Sequence, residues 1–236
     1  MKFIIDKNNC VKIESDQPQQ MLKYKWDTTY LYSIIKRQKE KRRAGRPLGD
    51  NCPMLYALKN SDGLSTDDET VKKLFLYVRN SIKDCFKSNF PFDAVIVMPS
   101  KHSIGYELAQ IIGELYKVHI ITDYLMKNTP QSAIDKVIHN PDIRSDIKQR
   151  IKTAINRNMD NLTIKALNTK DRKYVPLLVK NVGWLPVNTR NVLLIDDIWA
   201  SGTTLKSARG LIEQWSPQVK SISALTLFSP ISEKYI

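Results

Sequence analysis

From about residue 91 onward the chain alternates short aliphatic runs with longer segments in which apolar residues return every three or four positions. FDAVIVMPS (92–100) is apolar and β-branched, which predicts a buried strand. Behind it Ile104, Leu108, Ile111, Ile112 and Leu115 share one face of a helix. VHIITDYL (118–125) predicts a second buried strand and NVLLID (191–196) a third. After the third, Leu205, Ala208, Leu211, Ile212 and Trp215 fall on one helical stripe, and Val219 to Phe228 closes as a further strand. Apolar strands separated by amphipathic helices predict parallel βαβ units, whose ligand sites lie beyond the carboxyl ends of the strands. Two loops, 98–103 and 196–204, fall at such ends.

The stretch 126–190 breaks this rhythm. It is polar, as in KNTPQSAIDK and RSDIKQRIKTAINRN, and it reads as a mobile insertion with a helical part leading into short strands near LTIKAL (162–167) and YVPLLVK (174–180), of the kind that forms lids or substrate loops. The first ninety residues are polar and basic. The expected organisation is therefore an N-terminal extension over residues 1–90 and an α/β core over 91–236, carrying the insertion 126–190.

Composition narrows the partners. With 236 residues and 42% hydrophobic composition the chain buries one good core. Its 37 Lys and Arg against 24 Asp and Glu give +13, which favours polyanions, nucleotides or phosphorylated sugars. The run KRQKEKRRAGR (36–46) is the densest charge cluster and fits a solvated helix face as well as a nucleic-acid patch. Cys10, Cys52 and Cys85 are scattered and odd in number, so they make neither a disulfide framework nor a zinc knuckle and are expected as reduced, buried thiols. MKFIIDKNNCVKIESDQ lacks a secretory apolar stretch and no window approaches a membrane span, which predicts a cytoplasmic protein.

The chemistry concentrates in LLIDDIWASGTTLKSA (193–208). A buried strand has no use for two adjacent acids, but at a strand end Asp196 and Asp197 can accept hydrogen bonds from the vicinal hydroxyls of a ribose, or face a magnesium ion. The turn Ala200–Ser201–Gly202–Thr203–Thr204 then offers backbone N–H groups, hydroxyls and a helix N-terminus to a phosphate, with Gly202 permitting close approach. Together they describe a ribose 5-phosphate pocket. A Walker B strand ends in similar acids, but the chain has no G-x-x-x-x-G-K-[ST]; a receiver domain would carry its acids near the domain start. A surface Asp pair before a Ser- or Thr-capped helix leaves the two acids unexplained.

This run of aliphatics, D-D and S-G-T-T resembles the signature of the type I phosphoribosyltransferases that binds phosphoribosyl pyrophosphate (PRPP). LYALKN (55–60), the VMPS loop and LMKNTPQSAID (125–135) extend the likeness over the last two thirds of the chain, toward the ComF-like, competence-associated members of that family. The resemblance implies a type I phosphoribosyltransferase fold, with a mostly parallel central sheet flanked by helices and a hood-like N-terminal extension that reads the acceptor base. It implies that Asp196 and Asp197 hold the ribose hydroxyls and that Ala200, Ser201, Gly202, Thr203 and Thr204 wrap the 5-phosphate. It further implies that the loop Met98–His102 receives the pyrophosphate through Ser100, Lys101 and His102. Magnesium then arrives with PRPP, near Asp196, without ligands supplied by the protein alone.

Some residues depart from the family pattern. Three scattered cysteines cannot build the four-cysteine finger common in ComF-like proteins, and Ala200 stands where the 6-oxopurine enzymes carry an aspartate, which disfavours purine salvage of that type. Trp199 is a core filler or a stacking surface, and His119, on an apolar strand, reads as structural. The expected activity is transfer of a phosphoribosyl group to an unidentified base. The alternative is a non-catalytic PRPP sensor or nucleic-acid-associated module using the basic face, and a homodimer is compatible with either.

Overall fold

The computed structural model of the chain describes residues 1–15, 20–26, 29–37, 52–157, 159, 162, 167–168, 170–200 and 202–230. In chain order the elements are β1 (Lys2–Ile5), β2 (Val11–Ser15), β3 (Leu22–Trp26), β4 (Thr29–Lys36), α1 (Pro53–Leu58), α2 (Asp68–Phe86), β5 (Ala94–Val97), α3 (Ile104–Tyr116) and β6 (His119–Ile121). They continue as β7 (Leu125–Lys127), α4 (Pro130–Ile138), α5 (Ser145–Asn156), a 3-10 turn at Arg172–Tyr174, β8 (Leu178–Lys180), β9 (Asn191–Ile198), α6 (Thr203–Trp215) and β10 (Ser221–Ser229). The fold is mixed α/β, with a six-stranded, mostly parallel central sheet flanked by helices. By contacts the chain forms two compact units: Met1–Ile121 with Pro186–Ala200 and Gln218–Ile236, and Thr122–Leu185 with Ser201–Pro217. The change of composition near residue 90 falls inside the first.

The first unit contains the sheet, in the order β3-β4-β10-β9-β5-β6. All neighbours are parallel except β3, which follows β4's edge antiparallel. Strand β9 is central: Val192, Leu193, Leu194 and Ile195 are all fully buried, so both faces are covered, as a parallel sheet requires. Alternation puts Val95, Val97, Leu193, Ile195, Leu225 and Leu227 into one core with Leu74, Val78 and Ile82 of α2 and Ile104, Leu108 and Ile112 of α3. Asp93 locks the strand register, its carboxylate accepting the N–H groups of Arg190 and Asn191 at 2.7 Å each. Helix α2 starts at Asp67, whose side chain accepts the N–H of Thr70 at 2.7 Å.

In the second unit α4 packs on α5, and β7 pairs antiparallel with β8. Arg150 holds the buried Asp171 carboxylate through two N–H groups, at 3.1 and 2.9 Å. The Tyr124 hydroxyl meets Ser216 Oγ at 2.7 Å.

Several expectations need correction. VHIITDYL is not one strand: β6 ends at Ile121, and β7 turns away to pair with β8. The cause is a tight turn in which Asp123 and Tyr124 carbonyls accept the N–H groups of Gly183 and Asn181, and a Cβ on Gly183 would sit 2.7 Å from Tyr124 N. YVPLLVK is strand only over Leu178–Lys180, after the 3-10 turn. Residues 163–166 of LTIKAL, and the basic run beyond Arg37, lie outside the described residues. Trp215 is 57% exposed because the stripe on α6 has run past its buried face. Of the cysteines only Cys52 is buried, while Cys10 is intermediate and Cys85 exposed. The polar N-terminal region contributes β3 and β4 to the sheet and α2 to its core, elements the composition concealed. Among the described residues no helix is long and apolar enough to cross a membrane.

Hydrogen bonds from Thr70 hold the Asp67 carboxyl below the usual carboxylate range. Its contribution is therefore present above the unfolded carboxylate value of about 4 and is lost as pH falls through the lower folded value. Asp67→Ala should lower the thermal midpoint near neutral pH by removing the cap, and the difference from wild type should vanish in strong acid. Calorimetry across pH checks this; a constant difference down to the most acid condition would contradict it.

Candidate functional site

Strand β9 runs further than its neighbour β5. The last bond between them is from Met98 N to Ile195 O, 2.9 Å. Residues two apart in a strand point their N–H groups to the same side, so Asp197 N–H faces the side that β5 has vacated. The carboxylate of Asp196 fills the gap, with Asp196 Oδ1 accepting that N–H at 2.9 Å. On the other edge β10 keeps its register with β9 through Thr226 and Phe228.

Both acids lie within β9, so alternation sends them to opposite faces. Asp196 takes the face of Leu194. Asp197 takes the face of Ile195, in the core beneath the helices, and its side chain is only 11% exposed. There it forms an ion pair with Lys59 Nζ. Lys59 is delivered by the C-terminal end of α1: Pro53 opens the helix, Met54, Leu55 and Ala57 anchor it in the core, and Lys59 N donates back to Tyr56 O at 3.1 Å. Asn60, in the left-handed region at φ 46°, closes the turn. The motif LYALKN thus exists in the fold to aim an ammonium at the strand end. Nothing local in the sequence links this lysine to an acid 138 positions later, so the pairing is legible only in the fold.

The loop after β5 lies at the same carboxyl edge, because β5 and β9 are parallel neighbours. Ser100, Lys101 and His102 are all exposed; His102 N donates to Ser100 Oγ at 3.1 Å, and Ser103 Oγ donates to Glu107 Oε1 at 2.5 Å as α3 begins. Lys101 has no carboxylate partner among the described residues. Trp199 is half-buried, its N–H bonded to Phe228 O at 2.8 Å and its ring set edge-on to Trp26 at 5.7 Å. His119 is exposed on the edge strand β6.

The expected phosphate turn continues from Ala200, which is exposed, through Ser201, which lies outside the described residues. Gly202 is the N-cap of α6 at φ 72°, ψ 0°, a left-handed conformation that a β-carbon disfavours. Its carbonyl accepts Lys206 N at 2.9 Å, and Thr203 and Thr204 open the helix with no acidic residue in the first turn. The N–H groups of such a first turn lack intrahelical acceptors and carry the positive end of the helix dipole. Among the described residues no three His, Cys, Asp or Glu side chains group as metal ligands. No family model matches the chain, and no curated protein matches it.

The Lys59–Asp197 pair is largely desolvated, so removing one partner leaves a charge without its counterion. Lys59→Met should cost about 2 kcal/mol, Asp197→Asn a similar amount, and the double variant clearly less than their sum, as expected for a broken, largely buried pair. Urea denaturation of the three variants measures the coupling. Additive losses would mean that the two side chains stabilise the fold independently.

Proposed function

We propose that this chain has a type I phosphoribosyltransferase fold, binds PRPP, and transfers its phosphoribosyl group to a nitrogenous base with release of pyrophosphate. One observation carries the reading: a central strand of a mostly parallel sheet ends in Asp196 and Asp197, and five residues further the chain passes through a left-handed glycine into a helix opened by two threonines. Carboxylates recognise hydroxyls, and a glycine-led helix start recognises a phosphate monoester. Asp196 and Asp197, on opposite faces of β9, take different hydroxyls of the ribose, Ala200 to Thr204 the 5-phosphate, and Ser100, Lys101 and His102 the pyrophosphate.

In the reaction the bond from C1 of the ribose to pyrophosphate breaks, the leaving group takes the electron pair, and a ring nitrogen of the base forms the new bond and loses its proton to solvent. Developing positive charge on the sugar is favoured by Asp196, Asp197 being neutralised by Lys59, and departing negative charge by Lys101 and the N–H groups of its loop. Positioning does the rest, without an assigned general base. Magnesium arriving bound to PRPP would supply charge neutralisation of the pyrophosphate, without ligands from the protein. The protein residues do not fit a metal at Asp197, whose carboxylate is already engaged by Lys59.

The net charge of +13 favours a second reading, a PRPP-sensing module that also contacts nucleic acid. Pyrophosphate release against a panel of purine, pyrimidine and pyridine bases separates the two: base-dependent release supports the transferase. Tight PRPP binding without release, joined to polynucleotide binding that weakens steeply with salt, supports the sensor.

Gly202→Val should reduce PRPP affinity by about a hundredfold or more, because a branched side chain strains the left-handed position and crowds the phosphate. Calorimetric titration with circular dichroism checks it. Undiminished affinity in a folded variant would remove the phosphate assignment.

A further inference from the structure

We propose that Lys59 stands in for a divalent cation at Asp197, so that ammonium and carboxylate together bind a sugar hydroxyl with no metal ion held by the protein. This rests on the reading of the site as a ribose-phosphate pocket and specifies how its sugar is recognised.

The argument starts from the carboxylate. Asp197 is already neutralised by Lys59, and a metal ion at the same oxygens would have to displace a cation delivered by a packed helix end. The neighbouring acid cannot help to hold an ion there. Asp196 lies on the opposite face of β9 and directs Oδ1 to the Asp197 N–H at 2.9 Å, so the two carboxylates do not converge on one point. Nor is there a third ligand, since no His, Cys, Asp and Glu grouping of three forms among the described residues.

What the pair does offer matches a hydroxyl. A hydroxyl group has one proton to donate and lone pairs to accept with; Asp197 takes the proton and Lys59 gives one of its own. Both bonds are charge-assisted, the stronger kind. Lys59 and Asp197 retain 20% and 11% side-chain exposure, so the pair is largely packed but not sealed from solvent. The turn at Lys59 and Asn60 sets where the lysine leaves the helix, and the ion pair with Asp197 holds its ammonium in place before any ligand arrives, so less ordering is required on binding. A lysine so placed supplies the positive charge and the directional contact that a bridging metal would otherwise bring.

The test uses ribose 5-phosphate, which has the hydroxyls and the phosphate but no pyrophosphate to carry magnesium. Calorimetric titration of the full chain should give the same affinity in excess EDTA and in magnesium. Lys59→Met should bind it about tenfold more weakly in EDTA, and Lys59→Arg, which keeps charge and donors, should recover most of the loss. Manganese uptake followed by electron paramagnetic resonance should be negligible at Asp197 in wild type and stay negligible in Lys59→Met, because one carboxylate without a second ligand holds no ion. Lys59→Gln replaces Lys59→Met if the latter does not fold by circular dichroism.

A wild-type affinity that drops about tenfold on chelation would overturn the proposal, as would unchanged binding by folded Lys59→Met in EDTA. If wild type binds no ribose 5-phosphate under either condition, the sugar-phosphate reading fails. The manganese measurement decides the metal question independently of the sugar: uptake by wild type that is lost in Asp197→Asn would overturn the claim that the protein holds no metal there.

Discussion

Strand β9 is paired on both edges only as far as Ile195, and the chemistry of the site follows from β5 stopping there. Up to that point the strand needs nothing but apolar side chains. Beyond it, one edge of the backbone has no strand neighbour among the described residues, and the polar end of a buried strand must be satisfied from elsewhere. The Asp196 carboxylate meets the backbone requirement and Lys59 meets the charge requirement of Asp197. Left alone, a carboxylate at such low exposure would be costly; paired, it becomes a fixed dipole at the carboxyl edge of the sheet.

The ammonium side of that dipole is a product of packing. Helix α1 is only six residues long and could not hold its shape by propensity alone. Its buried Met54, Leu55 and Ala57 attach it to the core formed by α2, α3 and one face of the sheet, and the lysine at its end inherits that rigidity. The same core fixes the start of α3, and hence the exit of the loop that displays Ser100, Lys101 and His102. Lys59 and the loop are therefore supported by one apolar cluster, which lets an otherwise polar edge be specified precisely.

Much of the core was legible because its signals are local. Runs such as FDAVIVM and NVLLID announce doubly buried strands, and the spacing after each announces a helix. The N-terminal elements were hidden by charge: β3 reads LKYKW and alternates lysines with apolar residues at the edge of the sheet, and α2 carries Lys, Asp and Glu around the stripe of Leu74, Val78 and Ile82. In both, one face is the more buried, and the exposed face outweighs it in composition. VHIITDYL failed for another reason, since a turn bound through Gly183 outcompetes the continuation of an apolar run, and periodicity carries no information about a partner sixty positions away.

At the site itself the division is clear. The sequence by itself determined that acids stand at the end of a central strand and that a glycine opens the next helix, because strand periodicity, helix caps and left-handed glycine are properties of neighbouring residues. Only the tertiary structure decided that the two acids diverge, one to its own backbone and one to Lys59, because side-chain partnership depends on where β5 ends and where α1 is packed. Those are long-range facts. Adjacent letters in the sequence are equivalent; adjacent residues in a strand face opposite ways, and the environment on each side makes one of them a backbone cap and the other half of an ion pair.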